Sequence, residues 1–314
     1  MDTTWDCIVV GAGAAGLSAG LVLGRARRRA LVIDAGSPSN RHAHGIGGLL
    51  GNDRVAPADY YAKGRAELAH YPTVELRSGE VVTGRRDEGD FVLELADGSA
   101  ERARRVLLAT GMEYRYPPLD GIAERWGRSV FHCPFCHGWE ARERPLGVLD
   151  RGASGAHRAL LLRAWSDDVT LLAGGPAGLE EDEAERLAAA GVVVDERAVA
   201  GLRGAGGGLD AVVFADGSER RCGGLLVPVT LHQRSRLAEE LGAAVSSGPL
   251  AADAIDVDAR FSTTVPGLFA AGDASALMPS VTAAVATGNA AAAMLVGGLM
   301  AGEPGPAHAL TATR

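Results

Sequence analysis

Cysteine is scarce. The 314 residues carry only Cys7, Cys133, Cys136 and Cys222, too few for a disulfide scaffold. Basic charge is not in excess either: 31 Lys and Arg stand against 39 Asp and Glu, a net charge of −8. That argues against nucleic acid or an anionic membrane as the main partner. Met1 to Asp6 shows neither the basic flank nor the hydrophobic segment of a signal peptide, so the expected location is the cytoplasm. One long apolar run exists, Thr282 to Ala301, but it is mostly Ala and Gly with Asn289 inside it. A buried helix is expected there, with no membrane span.

What is present begins at once. WDCIVV (Trp5 to Val10) reads as a buried strand, followed by GAGAAG and an Ala/Leu-rich helix to about Arg25. A second strand, ALVIDAG, ends with Asp34, and Ala35 after it is a further candidate for cofactor contact. Strand, glycine turn, helix and terminal acid together form a dinucleotide fingerprint. Gly11 makes the tight turn, Gly13 admits a pyrophosphate, and Gly16 lets helix and strand pack. Ala14 and Ala15 open the helix whose N-terminus faces the phosphates. Asp34 can accept hydrogen bonds from a ribose diol. A second strand–turn–helix–strand runs from Leu146 (LGVLD, RGASG, AHRALLLRAW, DDVTLLAG), and AVVFADGSERR reads as a hairpin turning at Asp216-Gly217. Linkers are expected at Tyr114–Leu119 and around Ser246–Leu250.

HCPFCHGWE, residues 132–140, sets Cys133 and Cys136 three apart with His132 and His137 against them. This spacing suits covalent haem attachment, zinc ligation or dithiol–disulfide cycling. Haem attachment needs export, for which nothing speaks. Zinc needs four ligands around one ion, which six consecutive residues would struggle to supply. A redox pair fits better: cysteines at i and i+3 on a first helical turn can reach disulfide distance. Pro134 suits the first helical position, and a helix N-terminus lowers thiolate pKa. Cys7 and Cys222 read as buried structural residues.

GAGAAG, then Thr110-Gly111 in VLLATG, then Gly272-Asp273 in VPGLFAAGDAS, resembles the flavoprotein disulfide reductases. Length, insertion point and cysteine position most resemble the low-molecular-weight thioredoxin reductases. The resemblance implies an α/β fold of two Rossmann-like domains, the second inserted in the first. Residues 1–116 and 247–314 would bind FAD, and residues 117–246 would form an NAD(P)-binding-like domain carrying the cysteines. It also implies that Asp273 bonds the ribityl and pyrophosphate part of FAD, and that Thr110 and Gly111 make a close-approach turn. A helix starting near Ser280 and Val281 would aim its positive end at the flavin N1–C2=O edge. Cys136 would be the sulfur that attacks the flavin C4a, Cys133 the one that meets substrate. A homodimer is implied as well.

Two departures redirect the expected activity. Thioredoxin reductases follow the second cysteine with Asp; here it is His137, and CPFCHGWE resembles the dithiol oxidases that close disulfides in gliotoxin- and holomycin-type natural products. GSPSNRHAHG (Gly36 to Gly45) resembles the same subgroup, which would put Asn40 or its neighbours at the FAD site. In the second turn Asp150 replaces the first glycine, and no basic residue follows VTLLAGG until Arg186 to take a 2′-phosphate. NADPH binding is therefore doubtful. The expected enzyme oxidises a small-molecule dithiol with O2, His132 or His137 serving as base. The alternatives are an NADPH-dependent thioredoxin reductase and a flavin-bound redox sensor.

Overall fold

Alternating burial along Trp5–Val10 is absent because the strand is covered on both faces, as in parallel α/β sheets. In the computed structural model, which describes residues 4–275 and 278–302, that strand is central. Met1 to Thr3, part of the N-terminal segment read above, lie outside the described residues. The parallel order is Val74–Ser78, Ala30–Asp34, Trp5–Val10, Ala100–Leu108, Leu268–Ala270. The N-terminal half of Ala100–Leu108 also pairs antiparallel with Asp90–Leu95, which continues to Val81–Asp87.

The chain divides into two compact units. One comprises the residues up to Arg41, Ala58–Tyr114 and those from Thr230; the other comprises His42–Pro57 and Arg115–Val229. The second unit has its own parallel sheet, ordered Val193–Asp195, Val169–Leu172, Leu146–Leu149, Gly224–Leu226, Val130–Phe131. A three-stranded antiparallel sheet, Val199–Arg203, Ala211–Phe214 and Glu219–Arg221, joins it, with Gly217 left-handed at the turn. Each unit has its own apolar core.

The return crossing lies at Val229–Thr230, ahead of the expected 246/247. Thr230–Gln233 already pairs with Met112–Arg115, and Gly248-Pro249 sits in the bend between Val245–Ser246 and its partner strand Ala254–Ile255. Residues 42–57, expected with the FAD-binding part, belong instead to the inserted unit.

The apolar run near the C-terminus is the helix Val281–Ala301, capped by Ser280, whose hydroxyl accepts from Ala283 N–H at 3.1 Å. A stripe of Ala284, Gly288, Ala291, Ala292 and Leu295 is buried, at helical spacing. A Cβ at Gly288 would stand 2.1 Å from the Ala15 carbonyl, so small residues let this helix lie directly on Ala14–Arg25. A buried helix was expected, and it is buried along one face only: Met294 and Met300 are exposed. Its length and hydropathy would suffice to cross a membrane.

Candidate active site

The first glycine turn is built by steric necessity. Gly11 has φ +103°, and a Cβ there would lie 2.3 Å from the Ala109 carbonyl, so the turn presses on the Thr110-Gly111 loop. A Cβ on Gly16 would lie 1.8 Å from the Gly11 carbonyl, whereas one on Gly13 would meet nothing within 4 Å. Open space thus lies where a ligand backbone must approach. The helix Ala14–Arg25 has no side-chain cap and no acid in its first turn, leaving its N–H groups for an anion.

The remaining expected cofactor residues gather in the same unit. The Asp34 carboxylate accepts from Gly36 N–H at 3.0 Å and pairs with Arg65. Asn40 Oδ1 accepts from the Tyr61 hydroxyl at 3.0 Å, and Ser39 donates to the Met112 carbonyl at 3.0 Å, which sets this segment beside Thr110-Gly111. Asp273 accepts from the Tyr114 hydroxyl at 2.8 Å; burial holds its carboxyl above the usual range. Burial also pushes Tyr61 up to about 12, with Asp273 adding to the effect. Gly272 N–H donates to Thr287 Oγ1 at 3.0 Å, tying the Gly272-Asp273 turn to the C-terminal helix. Arg234 donates to the carbonyls of Met112, at 3.1 Å, and Ser37. Sequence reasoning missed Tyr61, Arg65, Tyr114 and Arg234, which carry no motif and meet the site only through folding.

In the inserted unit the edge strand Val130–Phe131 runs straight into His132 and the cysteine helix, Pro134–Ala141. Cys133 is the N-cap and Pro134 the first helical residue. Cys133 and Cys136 are disulfide-bonded, with Cα atoms 5.3 Å apart. His137 lies one turn from Cys133 and stacks on Phe131 at 5.6 Å. Its Nε2 is 3.2 Å from the Gly127 carbonyl, which can only accept, so Nε2 carries the proton and Nδ1 keeps its lone pair. Nδ1 is buried without a hydrogen-bond partner among the described residues. Burial lowers the His137 pKa, opposed by the carbonyls of Gly127 and Cys133, though the latter does not meet Nδ1 in hydrogen-bond geometry. The ring is therefore a neutral base near pH 7.

In the second nucleotide-type turn an acid stands in place of the first glycine and is tied to its neighbours. Asp150 accepts from Arg151 N–H at 2.8 Å and Ser154 Oγ at 2.9 Å, and it pairs with Arg158. The carboxylate is thus held beside the N-terminus of Gly152–Leu162, although this helix, like the first, has no side-chain cap.

Residues 5–288 match the family described as pyridine nucleotide-disulphide oxidoreductase. The chain belongs to that family. It is 33% identical over 301 residues to "Thioredoxin reductase tcpT" of Claviceps purpurea (strain 20.1), covering 92% of each chain. Among solved structures it is similar to an oxidoreductase from Agrobacterium tumefaciens, at 36% identity and TM-score 0.90, covering 96% of this chain and 100% of that one. It is equally similar to HlmI, at 36% identity and TM-score 0.89, covering 96% and 94%. This pyridine nucleotide-disulphide oxidoreductase is thus a thioredoxin reductase-like enzyme with a two-domain dinucleotide-binding fold. The family implies FAD, and the open Gly13 cradle and the uncapped helix fit it, with Asp34, Asn40 and Asp273 in the same unit.

In this oxidoreductase the two histidines differ. His132 stacks on Trp126 at 5.7 Å, and burial, with Arg158 and the His137 ring (charged only at lower pH) adding, pushes its pKa down to about 4. The unfolded chain binds this proton below about pH 6.5 and the folded one only near pH 4. Stability therefore rises with pH through that window and falls as pH drops. At pH 5 the cost is on the order of 2 kcal/mol. Urea unfolding at pH 5 and pH 7.5 should show a steeper loss in the wild type than in His132→Gln; equal slopes would refute this.

Cys7, in the first strand, and Cys222, in the turn before Gly224–Leu226, are buried free thiols, as expected. Burial raises both, Cys222 to about 12.

Proposed function

We propose that the enzyme oxidises a small-molecule dithiol to a cyclic disulfide, with O2 as the final acceptor and H2O2 as product. The observation that carries this reading is Asp150, whose carboxylate occupies the turn that a nicotinamide dinucleotide's pyrophosphate would need. Two negative groups ~5 Å apart repel by roughly 1 kcal/mol even in water, a repulsion that the Arg158 partner of Asp150 offsets in part. With that entrance disfavoured, the proposed route for electrons is through the cysteine pair.

The residues fit the following steps. A substrate thiol loses its proton to His137, whose buried Nδ1 must be uncovered for the transfer, and its sulfur attacks Cys133 Sγ. The Cys133–Cys136 bond breaks, and Cys136 leaves as a thiolate favoured by the N-terminal end of its helix. The second substrate thiolate then attacks the substrate sulfur of the mixed disulfide. The cyclic product leaves, and Cys133 is freed. Bound FAD supplies the two-electron acceptor for this enzyme dithiol and the relay to O2. The balance is dithiol plus O2 giving disulfide plus H2O2. Cytoplasmic location and a homodimer, without nucleic acid or membrane, complete the proposal.

The test is anaerobic. A small dithiol should bleach the flavin rapidly and NADPH should not; bleaching by NADPH with thioredoxin as acceptor would instead make the enzyme a reductase, as the name of its Claviceps relative suggests. Asp150→Gly should open the turn, and calorimetry with NADP+ should then read binding at least about tenfold tighter than in the wild type. Equal binding by both proteins would remove Asp150 as the cause.

A further inference from the structure

Residues 42–57 follow the second strand in sequence, where a cofactor segment was expected, yet they fold with the inserted unit. They close on themselves. Ile46 N–H donates to the Val55 carbonyl at 2.9 Å, and Arg54 N–H returns to the Ile46 carbonyl at 2.8 Å. Gly48 N–H donates to the Asp53 carboxylate at 2.8 Å. Ile46 and Leu49 are buried while Leu50, at the tip, is 97% exposed.

This closed loop touches the redox helix and its support at two places. A Cβ on Gly47 would stand 2.7 Å from the Cys136 carbonyl oxygen and 3.4 Å from its Cα. Gly47 is not among the left-handed glycines, so its requirement is purely one of close approach. The second contact is at Gly127, where a Cβ would meet His42 Cβ at 3.3 Å and Ala43 N at 3.4 Å. Gly127 is the residue whose carbonyl fixes the His137 tautomer. One loop therefore backs both the leaving sulfur's residue and the anchor of the base.

We propose that residues 42–57 form a positioning strap for the Cys133–Cys136 pair, and that Gly47 is the positioning residue that sets how closely the strap seats on Cys136. The proposal rests on the thiol-exchange reading above. A methyl group at Gly47 must push against backbone, not against the far end of a flexible side chain, so the first turn of the cysteine helix has to move. Displacements of this kind away from a reacting centre are expensive in rate.

The experiment uses the full-length holoenzyme, anaerobic dithiothreitol as the probe, and acid quench with alkylation to count free thiols by mass. In the exchange, a dithiothreitol thiolate attacks Cys133 Sγ and releases Cys136 as thiolate; the second thiol completes the cyclic oxidised reagent. Gly47→Ala should slow this about tenfold. It should also shift the equilibrium of the pair with a dithiothreitol redox buffer by about threefold, a change that loss of overall stability would not produce. Asp53→Asn loosens the strap without adding bulk and should move both readings the same way by a smaller factor, which keeps the test open if Gly47→Ala does not fold. Leu50→Ala should match the wild type. Wild-type rate and equilibrium in Asp53→Asn, or in both variants, would overturn the strap; a wild-type enzyme inert to dithiothreitol would instead overturn the exchange reading beneath it.

Discussion

Replacing Cys136 by serine stops dithiol turnover, a loss of about a thousandfold or more, and Cys133→Ser does the same. Neither hydroxyl can take part in the Cys133–Cys136 bond that the oxidised enzyme contains. Both variants should retain flavin, because Gly11, Gly13, Gly16, Asp34, Asn40 and Asp273 all belong to the other unit. The two differ toward an aromatic disulfide reagent: Cys136→Ser should hold one equivalent as a stable mixed disulfide on Cys133, while Cys133→Ser should react more slowly. Oxygen uptake with a small dithiol reads the first effect and mass spectrometry the second. More than a few per cent of wild-type turnover in Cys136→Ser would remove the vicinal pair from the reaction.

The second large effect is at Gly16. A methyl group there would stand 1.8 Å from the Gly11 carbonyl, between two backbone segments of a parallel sheet and its helix. Gly16→Ala should therefore lose about 3 kcal/mol or more of stability and its FAD together. Gly13→Ala separates these consequences. Its methyl group meets nothing in the protein, so stability should stay within about 1 kcal/mol of wild type while FAD is lost on gel filtration. Denaturant unfolding and flavin absorbance measure the pair, and a Gly13→Ala protein as yellow as the wild type would mean that the cofactor does not pass over this turn.

How far such sites can be read from a sequence depends on how local their physics is. The first strand was expected at Trp5 to Val10 and the next to end at Asp34, and both do so. Their signals, a buried run and a glycine turn, act within a few residues. The cysteine helix is similar: N-cap Cys133 and first-turn Pro134 are neighbours, so spacing alone carries the geometry. Tyr114 and Asp273 stand 159 positions apart, and no local pattern could have joined them. The allegiance of residues 42–57 was equally hidden, since Gly47 differs from other glycines only in what it lies against. Gly248-Pro249 misled for a related reason: a turn within a unit and a linker between units use the same residues.

Under the proposed oxidase cycle, released peroxide would be a hazard for the protein's own sulfur chemistry. Sulfenic and sulfinic damage begins at an accessible thiolate. Here Cys7 in the first strand and Cys222 in the turn between two strands are both buried, and their ionisation is suppressed, whereas Cys133 and Cys136 are only half-buried; under that cycle the working pair would meet the oxidant while the spare thiols stay insulated from it.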